Sequence, residues 1–447
     1  MSESTSVHSI TIHLLDKESF NGLNESQRDL LLTQAFRAEV GDCAVLTHPT
    51  VEFYCGLGER PTRSGVRKAV EALPIREGAD VRVELSLSAT DCQQQLVEGA
   101  VADLFVRGLR VVDSGLDARS HAWAVSESVA VQRAREWTNA PGDVLMPERF
   151  AQTAIDICSD PSMSVDVYDR NALQEQGFGA ILAVGQGSIY EPRLVDVRYE
   201  HPAAKLSVVL VGKGVTFDSG GLSLKSPTAM APMRMDKVGA AVVLAVMSVL
   251  PGLGYPVNVR GLLPLAENMV GPAAVRPGDV VVGRSGLPIT IVDTDFEGRV
   301  LMSDALSFAS EEAPDIIVDI AALTYQVVIA LGADIGGLFA NNDDLARMIQ
   351  SAGDSAGEEC WRLPLAETYR DQVLVDGGVK NHPESDVARA ITAALFLERF
   401  VPDGVAWAHL DITGPAWRGP ASGTGATGFG VRTLLGLVQE ISSGTFR

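Results

Sequence analysis

The sequence predicts an α/β protein of two domains, each a mixed sheet flanked by helices. Two observations carry this prediction. Apolar segments of strand length alternate with segments of helical periodicity, as in a sheet covered by helices on both faces. The chain has 447 residues, more than one compact core usually holds. We place the domains at residues 1–138 and 139–447, because two prolines and a glycine follow closely after Trp137 and mark a junction.

The first domain shows strand and helix patterns but none that is typical of a functional site. Its predicted strands are residues 9–15, 51–55 and 81–87, and its predicted helices are residues 27–40 and 64–73. Gly56 and Gly58 follow a strand, yet the third glycine and the downstream acid of a dinucleotide-binding loop are missing. We therefore expect a structural role for this domain.

The second domain places polar residues where predicted strands end. Its predicted strands are residues 164–168, 194–199, 206–211, 257–263, 289–292, 316–321 and 404–412, and its helices include residues 150–158, 239–250, 304–309 and 388–400. Lys213 follows one strand directly, and Asp293 and Asp295 follow another. Ligand sites of such sheets form at the carboxyl ends of the strands. The functional site is therefore predicted in this domain.

The stretch from residue 211 to 241 has the strongest chemical pattern. Lys213, Asp218, Lys225 and Asp236 lie between an apolar strand and an apolar helix. Such a position is normally buried, and unpaired charge there is costly. A bound cation would supply the neutralising charge. The stretch therefore predicts a metal site.

A second polar stretch, residues 293–306, extends the predicted site. Asp295, Glu297 and Arg299 alternate along it, so a short extended segment would present all three side chains on one face. Two carboxylates and a guanidinium suit a hard cation beside a pocket for an oxyanion. The alternative is a ladder of ion pairs on the surface.

Composition excludes several classes of protein. The net charge of −21 opposes a nucleic-acid partner, which needs a clustered basic surface. The longest apolar run, residues 238–250, is too short to span a bilayer, and the first residues lack the pattern of a secretory signal. Five scattered cysteines without a CxxC pair are typical of reduced intracellular thiols. We expect a cytoplasmic protein without a membrane partner.

The two polar stretches resemble the signatures of the leucine (cytosol) aminopeptidase family of dinuclear-metal exopeptidases. The resemblance continues through residues 262–279, 321–341, 406–417 and 425–435. It implies a metal-dependent aminopeptidase that removes the N-terminal residue from peptides through a two-metal-activated water. It further implies two divalent ions per subunit, Mn²⁺ or Zn²⁺, with bicarbonate as an additional anion, and a homo-hexamer.

The resemblance also assigns roles to individual residues. It implies the metal ligands Lys213, Asp218, Asp236, Asp295 and Glu297, the catalytic pair Lys225 and Arg299, and a substrate pocket of Met233, Leu323, Tyr325 and Ala426. In this scheme Asp218 and Glu297 bridge the ions, and the Lys213 amine coordinates as a neutral group. Lys225 stabilises the oxyanion, and Arg299 holds the bicarbonate.

Some residues depart from the family pattern and leave alternatives open. Asp293 stands where the family has asparagine, Phe296 where it has alanine, and Tyr325 where it has glycine. A retained fold with weak or no activity, acting as a scaffold or regulator, is one alternative. A dinuclear hydrolase of another ester, such as a phosphoester, is another. An inward Tyr325 ring would favour small first residues, whereas an outward ring would admit leucine.

Overall fold

A computed structural model describes residues 10–40, 42–46, 51–57, 61–75, 79–86, 93–383, 385–419 and 425–446. The chain forms two compact units that divide between Val129 and Ala130, with the short segment Asp354–Glu358 joining the first. The division falls inside one long helix, Ala118–Asn139, and the predicted boundary at residues 138 and 139 lies at the end of this helix. The predicted class, mixed sheets flanked by helices, is confirmed.

The first unit contains a five-stranded sheet. Its strands are β1 (Ile10–Leu15), β2 (Cys43–Leu46), β3 (Glu52–Gly56), β4 (Asp80–Ser86) and β5 (Arg110–Asp113). Its helices are α1 (Lys17–Asn21), α2 (Glu25–Thr33), α3 (Arg63–Ala72), α4 (Gln93–Val106) and the first part of α5 (Ala118–Asn139). The strand order is β2-β3-β1-β4-β5. Only the pairing of the edge strand β2 with β3 is antiparallel among the described strands of this sheet.

A side chain from outside the sheet covers the edge strand β2. The Gln34 amide accepts a hydrogen bond from the Val45 N–H at 3.0 Å and donates one to the Val45 carbonyl oxygen at 2.8 Å. The periodicity of the sequence predicts a helix over residues 27–40, but helix α2 ends at Thr33. Ala35 and Ala38 have positive φ values of 62° and 57°, which an α-helix cannot contain.

The second unit has a larger set of elements. Its strands are β6 (Met163–Tyr168), β7 (Arg193–Tyr199), β8 (Ser207–Gly212), β9 (Gly214–Asp218), β10 (Asn258–Asn268), β11 (Val280–Val282), β12 (Pro288–Thr290), β13 (Ile316–Ala321), β14 (Gly336–Ala340), β15 (Cys360–Arg362), β16 (Leu374–Val375), β17 (Gly378–Lys380), β18 (Ala406–Asp411), β19 (Trp417–Arg418) and β20 (Gly425–Ala426). Its α-helices are α6 (Pro147–Ile157), α7 (Arg170–Glu175), α8 (Gly179–Gly185), α9 (Pro227–Met230), α10 (Val238–Met247), α11 (Leu250–Leu253), α12 (Glu297–Ser310), α13 (Tyr325–Leu331), α14 (Asp343–Ala356), α15 (Arg389–Glu398) and α16 (Val431–Ser442), with 3₁₀ turns at Met233–Lys237 and Glu367–Val373.

The main sheet of this unit has the order β15-β14-β18-β13-β8-β10-β7-β6, and β9 also pairs with β10. The central strands β18, β13, β8 and β10 are parallel neighbours, so their carboxyl ends meet at one edge. Ile320 of β13 pairs with Gly212 of β8, which brings the loops after these two strands together. Small sheets, β11-β12-β17-β16 and β19-β20, complete the described part of the unit.

Helix α10 is buried on every side, as expected for a helix that is apolar all round. With its flanking turns it forms a stretch, Met233–Leu253, that is long and apolar enough to cross a membrane by length and composition. In the fold, 78% of the apolar 18-residue window within this stretch is buried. Packing within the core therefore accounts for its hydropathy.

The start of α10 lies directly against the ends of the central strands. The Ala240 N–H donates to the Lys213 carbonyl oxygen at 2.8 Å. A Cβ atom on Gly239 would lie 2.1 Å from the Ile320 carbonyl oxygen and 2.7 Å from the Lys213 nitrogen. A larger residue at Gly239 would therefore push the helix away from the edge where the polar residues gather.

Asp304 anchors helix α12 within this core. Its carboxylate accepts hydrogen bonds from the backbone N–H groups of Ala180 and Ile181, each at 2.9 Å, and of Arg284 at 2.7 Å. Burial raises the pKa of Asp304 to about 6, although these N–H groups oppose the shift. The carboxylate thus joins α12 to the start of α8 and to the loop after β11.

We expect Asp304→Ala to destabilise the second unit by about 2–4 kcal/mol, because it leaves three buried N–H groups unsatisfied. Urea unfolding of the purified variant measures the loss. Asp304→Asn is the matched control and should lose less, since its amide oxygen still accepts hydrogen bonds. An unchanged unfolding midpoint in Asp304→Ala would contradict the anchoring role.

Candidate metal centre

Lys213 occupies a one-residue break between two strands. Strand β8 ends at Gly212, and β9 begins at Gly214, so the chain resumes as a strand directly after the lysine. The wholly buried Lys213 Nζ lies 2.7 Å from Asp236 Oδ1 and 2.9 Å from Glu297 Oε1, and donates to the Ala322 carbonyl oxygen at 3.2 Å. The break therefore lets the Lys213 side chain point toward a cluster of carboxylates.

Glu297 and Arg299 belong to a helix, so the predicted extended segment is wrong. The Asp295 N–H donates to Asp293 Oδ1 at 2.9 Å, and the Phe296 N–H to the Asp293 carbonyl oxygen at 3.3 Å. These bonds form a turn, and α12 begins directly after it at Glu297. Residues two apart on a helix point about 200° apart. Glu297 and Arg299 therefore leave the helix in different directions.

Asp218, at the end of β9, is held in place by several donors. Its Oδ1 accepts from the Gly220 N–H and from Asn268 Nδ2, each at 2.8 Å. Its Oδ2 lies 2.8 Å from Lys225 Nζ. Lys225 also contacts Asp295 Oδ1. The structure thus brings the predicted ligands and Lys225 into one cluster.

The carboxylates suit a divalent cation. Asp218, Asp236 and Glu297 are buried and offer oxygens that all lie within 4.8 Å of one another. Asp236 Oδ2 is buried without a hydrogen-bond partner among the described residues, which is costly unless a cation binds it. Asp295 is more open, and burial together with Asp218 and Glu297 raises its pKa to about 7. Oxygen-rich donors with one amine fit Mn²⁺ or Zn²⁺.

The lysine charges depend on the same carboxylates. Burial would lower the pKa of Lys213, but Asp236, Glu297 and Asp218 outweigh burial and raise it above its ordinary value. The pKa of Lys225 is raised in the same way, chiefly by Asp218, Glu297 and Asp295. Coordination through Lys213 therefore requires a cation that displaces its proton.

Arg299 offers unpaired donors beside this cluster. Its guanidinium is buried, and Nε and Nη1 have no hydrogen-bond partner among the described residues. Burial lowers its pKa to about 10, although Glu297 and Asp411 oppose the shift. A guanidinium with two free N–H groups fits a small planar anion. Bicarbonate has that shape and charge.

The Phe296 ring packs against the guanidinium of Arg299. The Arg299 guanidinium carbon lies 4.8 Å from the centre of the Phe296 ring, and that of Arg389 lies 5.7 Å from it. The His382 ring meets the same phenyl ring edge-on, with centroids 4.3 Å apart. The ring that replaces a small family residue therefore finds room between two arginines and a histidine.

The predicted pocket residues lie on two parts of the second unit. Leu323 follows β13, where its N–H donates to Asp411 Oδ1 at 3.3 Å, and Tyr325 begins α13 as a residue that is 67% exposed. Met233 begins a 3₁₀ turn, and Ala426 pairs with Trp417 in a short ribbon. The Arg234 guanidinium next to Met233 lies 5.4 Å from the Trp417 ring. This contact brings Met233 and Ala426 into one neighbourhood.

Two asparagines that the sequence analysis missed position the site. Asn268 Nδ2 donates to Asp218 Oδ1 and to the Thr294 carbonyl oxygen. Asn381 accepts from the Val292 N–H at 2.8 Å and donates to the Asp293 carbonyl oxygen at 2.6 Å. Both fix loops that carry ligands. Asn268 is the last residue of the long strand β10. Its position at the carboxyl end of a strand is the feature of the sequence that could have indicated its role.

His409 lies on β18, away from the predicted ligands in sequence. Its wholly buried Nδ1 lies 2.5 Å from Asp319 Oδ1, and Trp407 Nε1 donates to Asp319 Oδ2 at 2.7 Å. Asp319 and Asp411 raise the pKa of His409 against the effect of burial. The imidazole is thus tied to a buried carboxylate of the neighbouring strand.

Comparison with known proteins places the chain among peptidases. A probable cytosol aminopeptidase of Chlorobaculum tepidum is 44% identical over 311 residues, covering 69% of this chain and 62% of its own. One of Streptomyces griseus is 41% identical over 341 residues, covering 73% and 65%. Among solved structures, the bottromycin maturation enzyme BotP in complex with Mn has a TM-score of 0.87 at 35% identity.

The extent of these matches differs. The chain spans 62% and 65% of the length of the two curated relatives. The BotP likeness covers 97% of this chain and 100% of the BotP chain. Residues 132–435, about two thirds of the sequence, match the family model described as the cytosol aminopeptidase family, catalytic domain. The chain therefore belongs to the cytosol aminopeptidase family.

Proposed function

We propose that the chain is a metal-dependent aminopeptidase that hydrolyses the N-terminal residue of peptides. The observation that carries the proposal is the buried carboxylate cluster of Asp218, Asp236 and Glu297, with an unpaired oxygen on Asp236. The names of the curated relatives and the manganese complex of BotP support it. Two divalent ions, Mn²⁺ or Zn²⁺, would bind Lys213, Asp218, Asp236, Asp295 and Glu297.

The bound ions and the residues around them would have separate roles in the reaction. When bound, the ions would lower the pKa of a water molecule and polarise the scissile carbonyl. Asp236 would accept a hydrogen bond from the α-amino group of the substrate, which restricts cleavage to the N-terminus. Lys225, held by Asp218 and Asp295, would stabilise the negative oxygen of the transition state. Arg299, with its unpaired Nε and Nη1, would hold bicarbonate, which would supply a base for the reaction.

A panel of aminoacyl-anilides and dipeptides tests the proposal. The purified chain should release the first residue with Mn²⁺ or Zn²⁺ and lose this activity in a chelator. N-acetylated copies of the same substrates are the matched control and should remain intact, since their α-amine is blocked. Hydrolysis of phosphoesters alone would favour the non-peptide reading. Metal binding without hydrolysis of any substrate would favour a scaffold or regulator.

Tyr325 is the departure with the clearest expected effect on specificity. If the Tyr325 ring points into the pocket, Tyr325→Gly should raise kcat/KM for leucyl relative to alanyl substrates by tenfold or more, about 1.4 kcal/mol. A phenol ring at the pocket wall occupies the volume that a leucine side chain needs. Steady-state kinetics on both substrates measures the ratio. Ile329→Gly, one turn further along α13 and also exposed, is the control.

An unchanged leucine-to-alanine ratio in Tyr325→Gly would contradict the pocket role. The exposed ring would then face outward, toward a subunit contact, and the pocket would admit leucine without the substitution.

We expect the protein to assemble as a homo-hexamer in the cytoplasm, in line with the family resemblance, without nucleic-acid or membrane partners. Light scattering at micromolar concentration should give about six times the 47.4 kDa mass of one chain. A stable monomer under these conditions would contradict the expected assembly.

A further inference from the structure

Two cysteines far apart in the sequence face each other in the sheet of the first unit. Cys43 begins the edge strand β2, and the register of the antiparallel pair places it directly opposite Cys55 of β3. Both thiols lie on the face that packs on the core of this unit. The sequence shows no CxxC pattern here, because eleven residues separate the two cysteines.

The hydrogen bonds of the two strands show how close the pair is. The Gly56 N–H donates to the Asp42 carbonyl oxygen at 3.0 Å, so residues 42 and 56 stand at a hydrogen-bonded position of the two strands. Hydrogen-bonded and non-hydrogen-bonded positions alternate along an antiparallel pair. Val45, two residues on, directs both of its backbone groups outward to Gln34. Cys43 and Cys55 are therefore a non-hydrogen-bonded pair, in which Cα atoms lie about 4.5 Å apart. Disulfides span Cα distances of about 4.4–6.8 Å.

The two thiols differ in exposure and acidity. Cys43 is half-buried, whereas Cys55 is wholly buried. A hydrogen bond between the two side chains lowers the pKa of Cys43, against the effect of burial, and raises that of Cys55. Thiolate character and access decide which cysteine an oxidant reaches. Cys43 is the reactive member, and Cys55 is placed to resolve it.

We propose that Cys43 and Cys55 form a reversible thiol–disulfide site that reacts with hydroperoxides. The Cys43 sulfur attacks the peroxide, the O–O bond breaks, and the leaving oxygen takes a proton to become an alcohol or water. Cys43 is then a sulfenic acid. The Cys55 sulfur attacks the Cys43 sulfur, the S–O bond breaks, and the hydroxyl group of the sulfenic acid leaves as water with the Cys55 proton. Two thiols lose two electrons, and the peroxide gains them.

The oxidised pair would join the edge strand to its neighbour. Among the described strands β2 pairs with β3 alone, and its outer side is covered by the Gln34 side chain. A disulfide at Cys43 would keep β2 in register with β3 even when the hydrogen bonds between Gln34 and Val45 break. The first unit contains none of the predicted metal ligands, so the proposed site gives it a chemical role of its own.

Peptide mapping after peroxide treatment tests the proposal. The reduced 447-residue chain is exposed to hydrogen peroxide, denatured in the presence of an alkylating agent, digested and analysed by mass spectrometry. We expect a Cys43–Cys55 cross-link that dithiothreitol removes, forming about tenfold faster than oxidation of the buried Cys158. Burial raises the pKa of Cys158 to about 12, which makes it an internal reference.

Single variants separate the two steps. Cys55→Ser should stop the reaction at a Cys43 sulfenic acid that a 1,3-diketone traps, and Cys43→Ser should leave Cys55 reduced. Cys158→Ser is the matched control and should still form the cross-link. Over-oxidation of Cys43 in the native protein with Cys55 still reduced would overturn the proposal. So would oxidation of Cys43 no faster than that of Cys158, or a disulfide only between separate chains.

Discussion

Glu297→Ala is expected to abolish both metal binding and peptide hydrolysis. Glu297 Oε1 lies 2.9 Å from Lys213 Nζ, and its oxygens belong to the cluster that spans 4.8 Å with Asp218 and Asp236. Loss of a residue that merely supports a ligand costs roughly 10–100-fold in metal affinity or activity. Glu297 is proposed as a direct ligand, so its loss should exceed about 100-fold. Metal content of the purified variant and its kcat/KM measure both effects, and Asp218→Ala should behave alike.

Asp293→Asn is the matched control for this loss of charge. It removes a carboxylate two residues from Asp295, yet an asparagine oxygen can still accept the Asp295 N–H that now binds Asp293 Oδ1. The control should retain metal and activity. Full activity of Glu297→Ala with unchanged metal content would rule out a shared-ligand centre.

Lys225→Ala is expected to separate chemistry from metal binding. Its ammonium group lies 2.8 Å from Asp218 Oδ2 and also contacts Asp295, so it sits at the edge of the cluster with 13% of its side chain exposed. Removing a donor that acts on the transition state should lower kcat by on the order of 10²–10³-fold, about 2.7–4 kcal/mol. KM should change little.

Lys225→Arg is the control that keeps the positive charge and should recover part of the rate. Metal analysis accompanies the kinetics of both variants. If Lys225→Ala loses its metal, the lysine holds the carboxylates in place and does not act on the reacting oxygen.

Much of the central sheet could be predicted because its strands are rich in apolar residues and buried on both faces. The predicted strand at residues 316–321 coincides with β13, which is buried at all six positions. Parallel strands buried on both faces need such runs. The end of each run also indicated where polar side chains emerge, and Lys213 and Asp218 do lie at such ends.

The rest of the site depends on contacts that no short stretch of sequence encodes. The alternation of Asp295, Glu297 and Arg299 suggested a strand, but the turn through Asp293 starts α12 instead. Asn268 and Asn381 act through partners more than twenty residues away. Cys43 meets Cys55 only through the register of two strands. Local periodicity carries none of this information.

The wholly apolar helix α10 links assembly of the site to closure of the core. A helix without a polar face is not stable in water, so α10 can settle only between layers that already exist. Its docking sets the Lys213 carbonyl against Ala240 and draws in Asp236, which precedes the helix by two residues. A nascent chain would therefore lack a tight cation site until its core closes.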